Sequence, residues 1–259
     1  MRRAILGFAA VAPIVTVALW SRSIPLAIGV LFASHMLVLY PTLRARSQWL
    51  GPVATTFATR EKEVWLTIDD GPDPRDTREI LDALKRHSAR ATFFVKGSRA
   101  LDDPELVRTM AEEGHGVANH SHDHPSATFW CLPPSAIRRE IDRCNEAISS
   151  ILGAPPSLFR APVGMKNPFV HPALDARGMK IVAWTARGFD GVDGFEVDAT
   201  VERVLRDVTP GAIVLLHQGV RGADGTLASA RCIERILEGL DARGLRCVIP
   251  PDDKLLPRA

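Results

Sequence analysis

The sequence predicts an α/β fold, an incomplete (β/α) barrel of about seven parallel strands, preceded by an N-terminal transmembrane helical hairpin. Three observations carry this expectation. From about residue 52 onward, short apolar strand-like runs alternate with helical periodicities, the pattern of βα units. The polar residues suited to chemistry fall just after those runs, and the first 50 residues hold two long apolar stretches with no acidic side chain.

The strand-like runs are Val64–Ile68, Ala91–Val95, Gly116–Asn119, Ser157–Arg160, Lys180–Trp184, Ala212–Leu216 and Leu245–Ile249. Helical stretches such as Thr77–Arg86, Pro104–Glu113, Ser135–Leu152 and Ala228–Ala242 separate them. Asp69-Asp70 follows the first run, His120 the third, Arg160 closes the fourth, Asp190 lies beyond the fifth and His217 follows the sixth. A doubly wound sheet gathers only the strand ends near its switch point, whereas a barrel brings all of them round one mouth. Five strands feeding one constellation therefore favour the barrel.

Residues 1–50 are read as a membrane-anchoring hairpin and residues 51–259 as the catalytic domain. Ala4–Trp20 and Ile24–Tyr40 are each at the lower length limit for a bilayer-spanning helix, and Ser21-Arg22-Ser23 separates them. A cleaved signal peptide fits less well, because its one small-x-small candidate leads straight into the second apolar stretch. A pair of soluble core helices would need an amphipathic stripe. Pro13, Pro25 and His35 interrupt the spans, while Arg2, Arg3, Arg44 and Arg46 flank their outer ends. By the positive-inside bias both ends lie in the cytoplasm, which places the domain on the cytoplasmic face of the inner membrane.

Composition narrows the function. With 46% hydrophobic and 24% charged residues in 259, the chain is neither disordered nor fibrous. Outside the first 50 residues, 27 basic side chains face 30 acidic ones, which offers no footprint for nucleic acid. Cys131, Cys144, Cys232 and Cys247 form neither a disulfide framework nor a zinc pair and are read as buried thiols.

Two segments look chemical. Asp69-Asp70-Gly71-Pro72 puts two carboxylates on an extended segment, where neighbours point to opposite sides, just before a turn; a turn with a helix N-cap would use the same residues. In His120-Ser121-His122-Asp123-His124, a helical turn would let His120 and His124 converge on one metal. With an aspartate they would form a two-histidine, one-carboxylate face, suited to a hydrolytic zinc or an oxygen-activating iron.

In this order the motifs resemble the polysaccharide deacetylases, the NodB homology domain of carbohydrate esterase family 4, over roughly Val64 to Ile249. Thr67-Ile68-Asp69-Asp70-Gly71 is similar to the first family motif and His120–His124 to the second. Arg160-Ala161-Pro162-Val163-Gly164 is similar to the third, and Leu215-Leu216-His217 to the fifth. The resemblance implies a divalent metal, zinc foremost, on Asp70, His120 and His124, with Asp69 as general base and His217 as acid. It also implies Arg160 as the partner of Asp69, Asp190 as a support for either His217 or Arg160, and the Val163 N–H as oxyanion donor. Val163 stands where the family has an aromatic residue and Gly191 where it has tryptophan, so the groove, lined in part by Pro162, has a different shape, filled by Trp130, Trp184 or Phe189. His115 and His122 receive no role.

The implied activity is removal of an acetyl group from an N-acetylated sugar, whether polysaccharide, oligosaccharide or lipid-linked glycan. Two other classes remain open: a non-catalytic sugar-binding protein on the same fold, and a non-haem iron oxygenase. No protein partner is indicated.

Overall fold

The computed structural model describes residues 1–257. Two helices, α1 (Arg2–Trp20) and α2 (Ile24–Leu43), open the chain and pack along each other. Ser23 caps α2 by accepting from the Leu26 N–H, and Pro25 occupies the first turn, where no N–H is needed. Their contact uses small side chains: Ala12 and Ala27 are buried, and Thr16 Oγ1, which donates to Ala12 O within α1 at 2.8 Å, also reaches Ala27 O of α2 at 3.4 Å. Both helices are long and apolar enough to cross a membrane by length and composition. Ile14, Val17 and Phe32 are 64–76% exposed, an outer surface unlike that of a soluble core pair.

The body begins with β1 (Ala54–Phe57) and β2 (Glu63–Gly71), followed by α3 (Thr77–Arg86), β3 (Ala91–Val95), α4 (Gly97–Asp102), α5 (Pro104–Glu112) and β4 (Gly116–Asn119). After α6 (Pro134–Leu152) come β5 (Leu158–Phe159), α7 (Val170–Asp175), β6 (Lys180–Ile181) and β7 (Ala186–Arg187). The chain closes with α8 (Val197–Asp207), β8 (Ile213–His217), α9 (Ser229–Asp241), β9 (Arg246–Cys247) and β10 (Leu255–Pro257).

The sheet runs β6-β5-β4-β3-β2-β8-β7 with every pairing parallel, and β9 lies beside the start of β2. Its two ends, β6 and β7, are consecutive in the chain and joined by Val182–Thr185 without a helix, so the sheet curls almost onto itself. Strand β1 fills the remaining gap. It pairs antiparallel with β10, and Ala54 bridges Val182 while Thr56 bridges Ala212. The expected incomplete barrel is therefore present, with β1, β7 and β10 added to the predicted strands. Asp190 consequently follows β7 rather than the fifth predicted run.

Alternation along β2 builds the two sides of this wall. Val64, Leu66 and Ile68 pack outward with Ile80 and Leu84 of α3 and Leu237 of α9. Trp65 faces the interior with Phe94, Phe159 and Leu215. Because both faces are covered, such strands read as continuous apolar runs. The interior polar groups are paired: Trp65 Nε1 donates to Thr92 Oγ1 at 2.9 Å and Thr67 Oγ1 to Val214 O at 2.6 Å. All four cysteines are free, but only Cys144, Cys232 and Cys247 are buried. Cys131 is exposed, correcting the expectation, because it sits in the short turn Phe129–Cys131 that follows the histidine motif at the surface.

Candidate active site and metal centre

Thr67 and Asp69 continue the inward-facing series of β2, and parallel pairing with β8 sets Asp69 beside His217. At Asp70 the register with β3 slips and the backbone turns to φ 77°. This bulge overrides the opposite-side expectation for adjacent residues. Both carboxylates now bear on one imidazole, His120 Nε2, which lies 3.5 Å from Asp69 Oδ2 and 3.8 Å from Asp70 Oδ1.

The histidine segment leaves β4 as a kinked loop, not the helical turn expected. Ser121 and His124 both adopt positive φ, of 66° and 51°. Asn119 Oδ1 accepts from the Ser121 N–H at 2.7 Å, and Ser121 Oγ accepts from the His124 N–H at 3.2 Å, which holds the loop in shape. His120 Nε2 and His124 Nε2 approach to 3.1 Å, and His124 Nε2 lies 3.5 Å from Asp70 Oδ1. One donor atom from each of Asp70, His120 and His124 falls within 4.8 Å of the others.

The chemistry of these donors fits a divalent cation. His120 Nδ1 is 2.8 Å from Arg160 O; a carbonyl only accepts, so Nδ1 carries the proton and Nε2 presents its lone pair. Burial pushes His120 down to about 4 and His124 to about 3, leaving both rings neutral. Burial works against the Asp70 anion, yet His120, Lys96 and His124 hold its carboxyl well below the usual carboxylate range. Lys96 Nζ stands 2.8 Å from Asp70 Oδ1 but off its hydrogen-bonding direction, so that buried oxygen makes no hydrogen bond. Two neutral nitrogens and an anionic oxygen that makes no hydrogen bond are a hard-to-borderline donor set. Lys96 was not singled out in the sequence, although its place directly after the β3 run was the available signal.

Arg160 is entirely buried inside the barrel, and its guanidinium is fully engaged. It donates to Asp69 Oδ1 (2.6 Å), Thr67 Oγ1 (2.9 Å), Val182 O (3.3 Å) and Ala183 O (3.2 Å), and it lies 4.1 Å above the Phe94 ring. Burial raises the Asp69 carboxyl above an ordinary aspartate while Arg160 pulls the other way. Across the cleft, Asp190 binds His217 rather than Arg160. Its Oδ2 accepts the His217 N–H at 2.8 Å, and its Oδ1 lies 3.2 Å from Nδ1. Burial alone would strip the His217 proton; Asp190, with Asp69 and Asp70 beyond it, overrides this and pushes the imidazole up to about 9.

The walls depart from expectation in a physically simple way. A Cβ on Gly191 would lie 2.9 Å from His217 Cε1, so no larger residue fits there while His217 keeps its place. Trp184 does not reach the groove: it is buried beneath Gly164, where an added Cβ would meet its Cη2 at 2.6 Å. Pro162 is buried as well, whereas Val163, at φ 48°, is half exposed. Phe189 is 55% exposed with the Arg187 guanidinium 3.8 Å above its ring, and Trp130 is partly exposed beside α2. His115 accepts from the Ala91 N–H and meets Phe93 edge-on, a structural role.

The sequence signature described as polysaccharide deacetylase matches residues 57–182. A chitooligosaccharide deacetylase of Rhizobium leguminosarum bv. trifolii is 42% identical over 161 residues, 61% of this chain and 73% of that protein. A peptidoglycan-N-acetylglucosamine deacetylase of Bacillus cereus is 32% identical over 209 residues, 78% of this chain and 73% of that protein. Among solved structures, a family 4 carbohydrate esterase from Streptomyces lividans in complex with acetate is similar with a TM-score of 0.64 and 32% identity. That likeness covers 76% of this chain and 97% of the other. The chain belongs to the polysaccharide deacetylase family.

Proposed function

We propose that this protein is a metal-dependent hydrolase that removes the acetyl group from an N-acetylated sugar, giving acetate and a free amine. One observation carries the reading: three metal-type donors converge beside a carboxylate whose proton affinity is raised, Asp69, which is paired in register with an imidazole held protonated, His217. Such separation of a base from an acid is what amide hydrolysis near neutral pH requires.

Asp70, His120 and His124 would hold the ion, and Zn²⁺ suits two imidazoles and one carboxylate with positions left open. When bound, a divalent cation lowers the pKa of water and polarises a carbonyl oxygen. Asp69 takes a proton from the water that attacks the acetamide carbon. Arg160 fixes the Asp69 oxygen that faces it, leaving Oδ2 for that proton. The Val163 N–H is assigned to the oxyanion as it forms. His217 gives its proton to the nitrogen as the C–N bond breaks, and Asp190 holds its ring in orientation. An iron oxygenase would leave this acid and base without work. The helices α1 and α2 are read as a membrane anchor, with Arg44 and Arg46 keeping the domain on the cytoplasmic face.

The test is acetate release by the full chain in detergent with Zn²⁺, on N-acetylated oligosaccharides and sugar lipids. Asp69→Asn is expected to lose about 10²–10⁴-fold in rate while keeping its metal content. Unchanged turnover in that variant would overturn the assignment of the base.

A further inference from the structure

The end of α2 is built into the support of the cleft. Lys166, fully buried, donates through Nζ to Arg44 O at 2.8 Å and Ala45 O at 2.9 Å, and its N–H donates to Thr42 O at 3.0 Å. A Cβ on Gly164 would lie 2.7 Å from the Ala45 side chain, so this linker runs in contact with the loop that carries Val163. A buried ammonium is tolerated only with its hydrogen bonds met, which makes the junction a fixed contact rather than a loose tether.

Beside this junction lies a cavity of about 460 Å³. One wall is α2, through Val38 and Leu39. The other is Trp130 and Leu132, from the segment following His124, with Phe169, from the segment following Gly164. Asn167 Nδ2 donates to Leu132 O at 2.9 Å and ties the two segments together. The two segments that follow His124 and Val163 therefore wall an apolar cavity on a helix long enough to cross a membrane.

The polar side chains around it are already used: Ser34 Oγ and His35 Nδ1 bond Leu31 O, Thr42 Oγ1 bonds Val38 O, and Asn167 Oδ1 accepts from the Phe169 N–H. These bonds leave sugar hydroxyls few partners there, and a hydrocarbon chain needs none. Just past α2, Arg46 follows Ala45, which touches Gly164, and the Arg187 guanidinium lies 5.8 Å from the Trp184 ring on which Gly164 also rests. Neither arginine has a carboxylate partner among the described residues. Arg187 covers the exposed ring of Phe189, and unpaired guanidinium groups are fitted to phosphate oxygens.

We propose that the cavity holds the hydrocarbon chain of a membrane-resident, phosphate-linked sugar, with Arg46 and Arg187 on the phosphate, so that the sugar is deacetylated while still attached to its lipid. This rests on the deacetylase reading and adds how the substrate is held.

The experiment uses the full chain in lipid nanodiscs and three probes: a water-soluble N-acetylglucosamine disaccharide, its neutral dodecyl glycoside and its dodecyl phosphodiester. The expected kcat/KM for the phosphodiester exceeds that of the soluble sugar at least 100-fold. Phe169→Asp, which charges the cavity, and Cys131→Trp, which fills its rim, each reduce that advantage at least tenfold and leave the soluble sugar's rate unchanged. Arg187→Gln removes the preference for phosphodiester over neutral glycoside. A mid-chain-brominated phosphodiester quenches tryptophan fluorescence, and Trp130→Phe removes part of that quenching. An advantage untouched by both cavity variants reports partition into the bilayer alone and overturns the proposal. So does turnover of the soluble sugar with neither quenching nor acceleration by the chain, which leaves the deacetylase reading standing. Quenching at Trp130 with no acetate from any probe does the reverse: the cavity assignment stands and the deacetylase reading falls.

Discussion

The proton on His217 is a balance between burial, which opposes it, and Asp190, which sustains it. A proton donor works only while protonated, so the rate falls as pH rises through the imidazole's pKa, which Asp190 holds above the ordinary histidine value. Asp190→Asn lets burial win, and the alkaline limb of the pH–rate profile moves at least one unit lower; a limb that stays in place would remove Asp190 from this role. A cation bound at Asp70 offsets the contributions of Asp69 and Asp70 but not that of Asp190, so the direction holds in the loaded enzyme. Arg160→Met leaves the Asp69 carboxylate buried without its partner. Breaking a buried pair in this way costs about 3–5 kcal/mol, to be read as a lowered urea midpoint at unchanged slope. At this scale the sequence was highly legible, because Asp69, His120, Arg160 and His217 each stand where an apolar run stops. The depth of a ring was not: nothing in the order of residues says that Trp184 lies under Gly164 while Phe189 stands outside it.

Among the elements, β2, β3 and β4 were legible because both faces of each are covered and the run is apolar without interruption. Strand β7 is two residues long, and β1 and β10 are held by partners about 200 residues apart in the chain, so their identity lies in the pairing rather than in local pattern. The bulge at Asp70 and the left-handed residues at Ser121 and His124 belong to the same class: no glycine announces them, and tertiary contacts impose them. Helix α3 offers a test of how an element end carries charge. Asp76, at its N-cap, accepts from the Gly219 N–H through Oδ2 at 2.7 Å, while its buried Oδ1 has no partner. Burial raises this carboxyl to about 6, above the ordinary aspartate value of 3.8. Between those values the folded chain binds more protons than the unfolded one, so stability falls as pH rises through the window. Asp76→Asn abolishes that slope and stabilises the protein at pH 7 by at most about 3 kcal/mol. Thermal unfolding at pH 4, 5, 6 and 7 measures it, and parallel curves for the two proteins would refute it.

In the whole molecule, a boundary at residues 50 and 51, natural from composition, cuts through a packed junction. Lys166 reaches across it to Arg44 O and Ala45 O, and Gly164 rests on Ala45. Composition marks where apolar sequence ends but not which carbonyls a distant lysine will need, and this is why the contact of Lys166 and Gly164 with Arg44 and Ala45 was not legible. A chain beginning at Pro52 leaves the Lys166 ammonium without those acceptors and the Val163 loop without its support. A chain beginning at Arg44 keeps both and lacks only the helices. Small displacements of a group that meets the oxyanion cost up to about 10²-fold in rate. The expected result on a soluble N-acetylated oligosaccharide is therefore that the Arg44 chain matches the full chain in kcat while the Pro52 chain falls at least tenfold, both with metal bound. Burial holds Lys166 down at about 8 in the intact protein, and in the Pro52 chain it returns toward 10.5, a change that NMR titration of the labelled side chain reads without reference to turnover. Equal rates in the two truncated chains, with Lys166 unchanged, would mean that the linker merely lies against the catalytic domain. Unequal rates with the expected titration make residues 44–47 part of the catalytic architecture, and tie the position of the Val163 N–H to the end of a helix suited to a membrane.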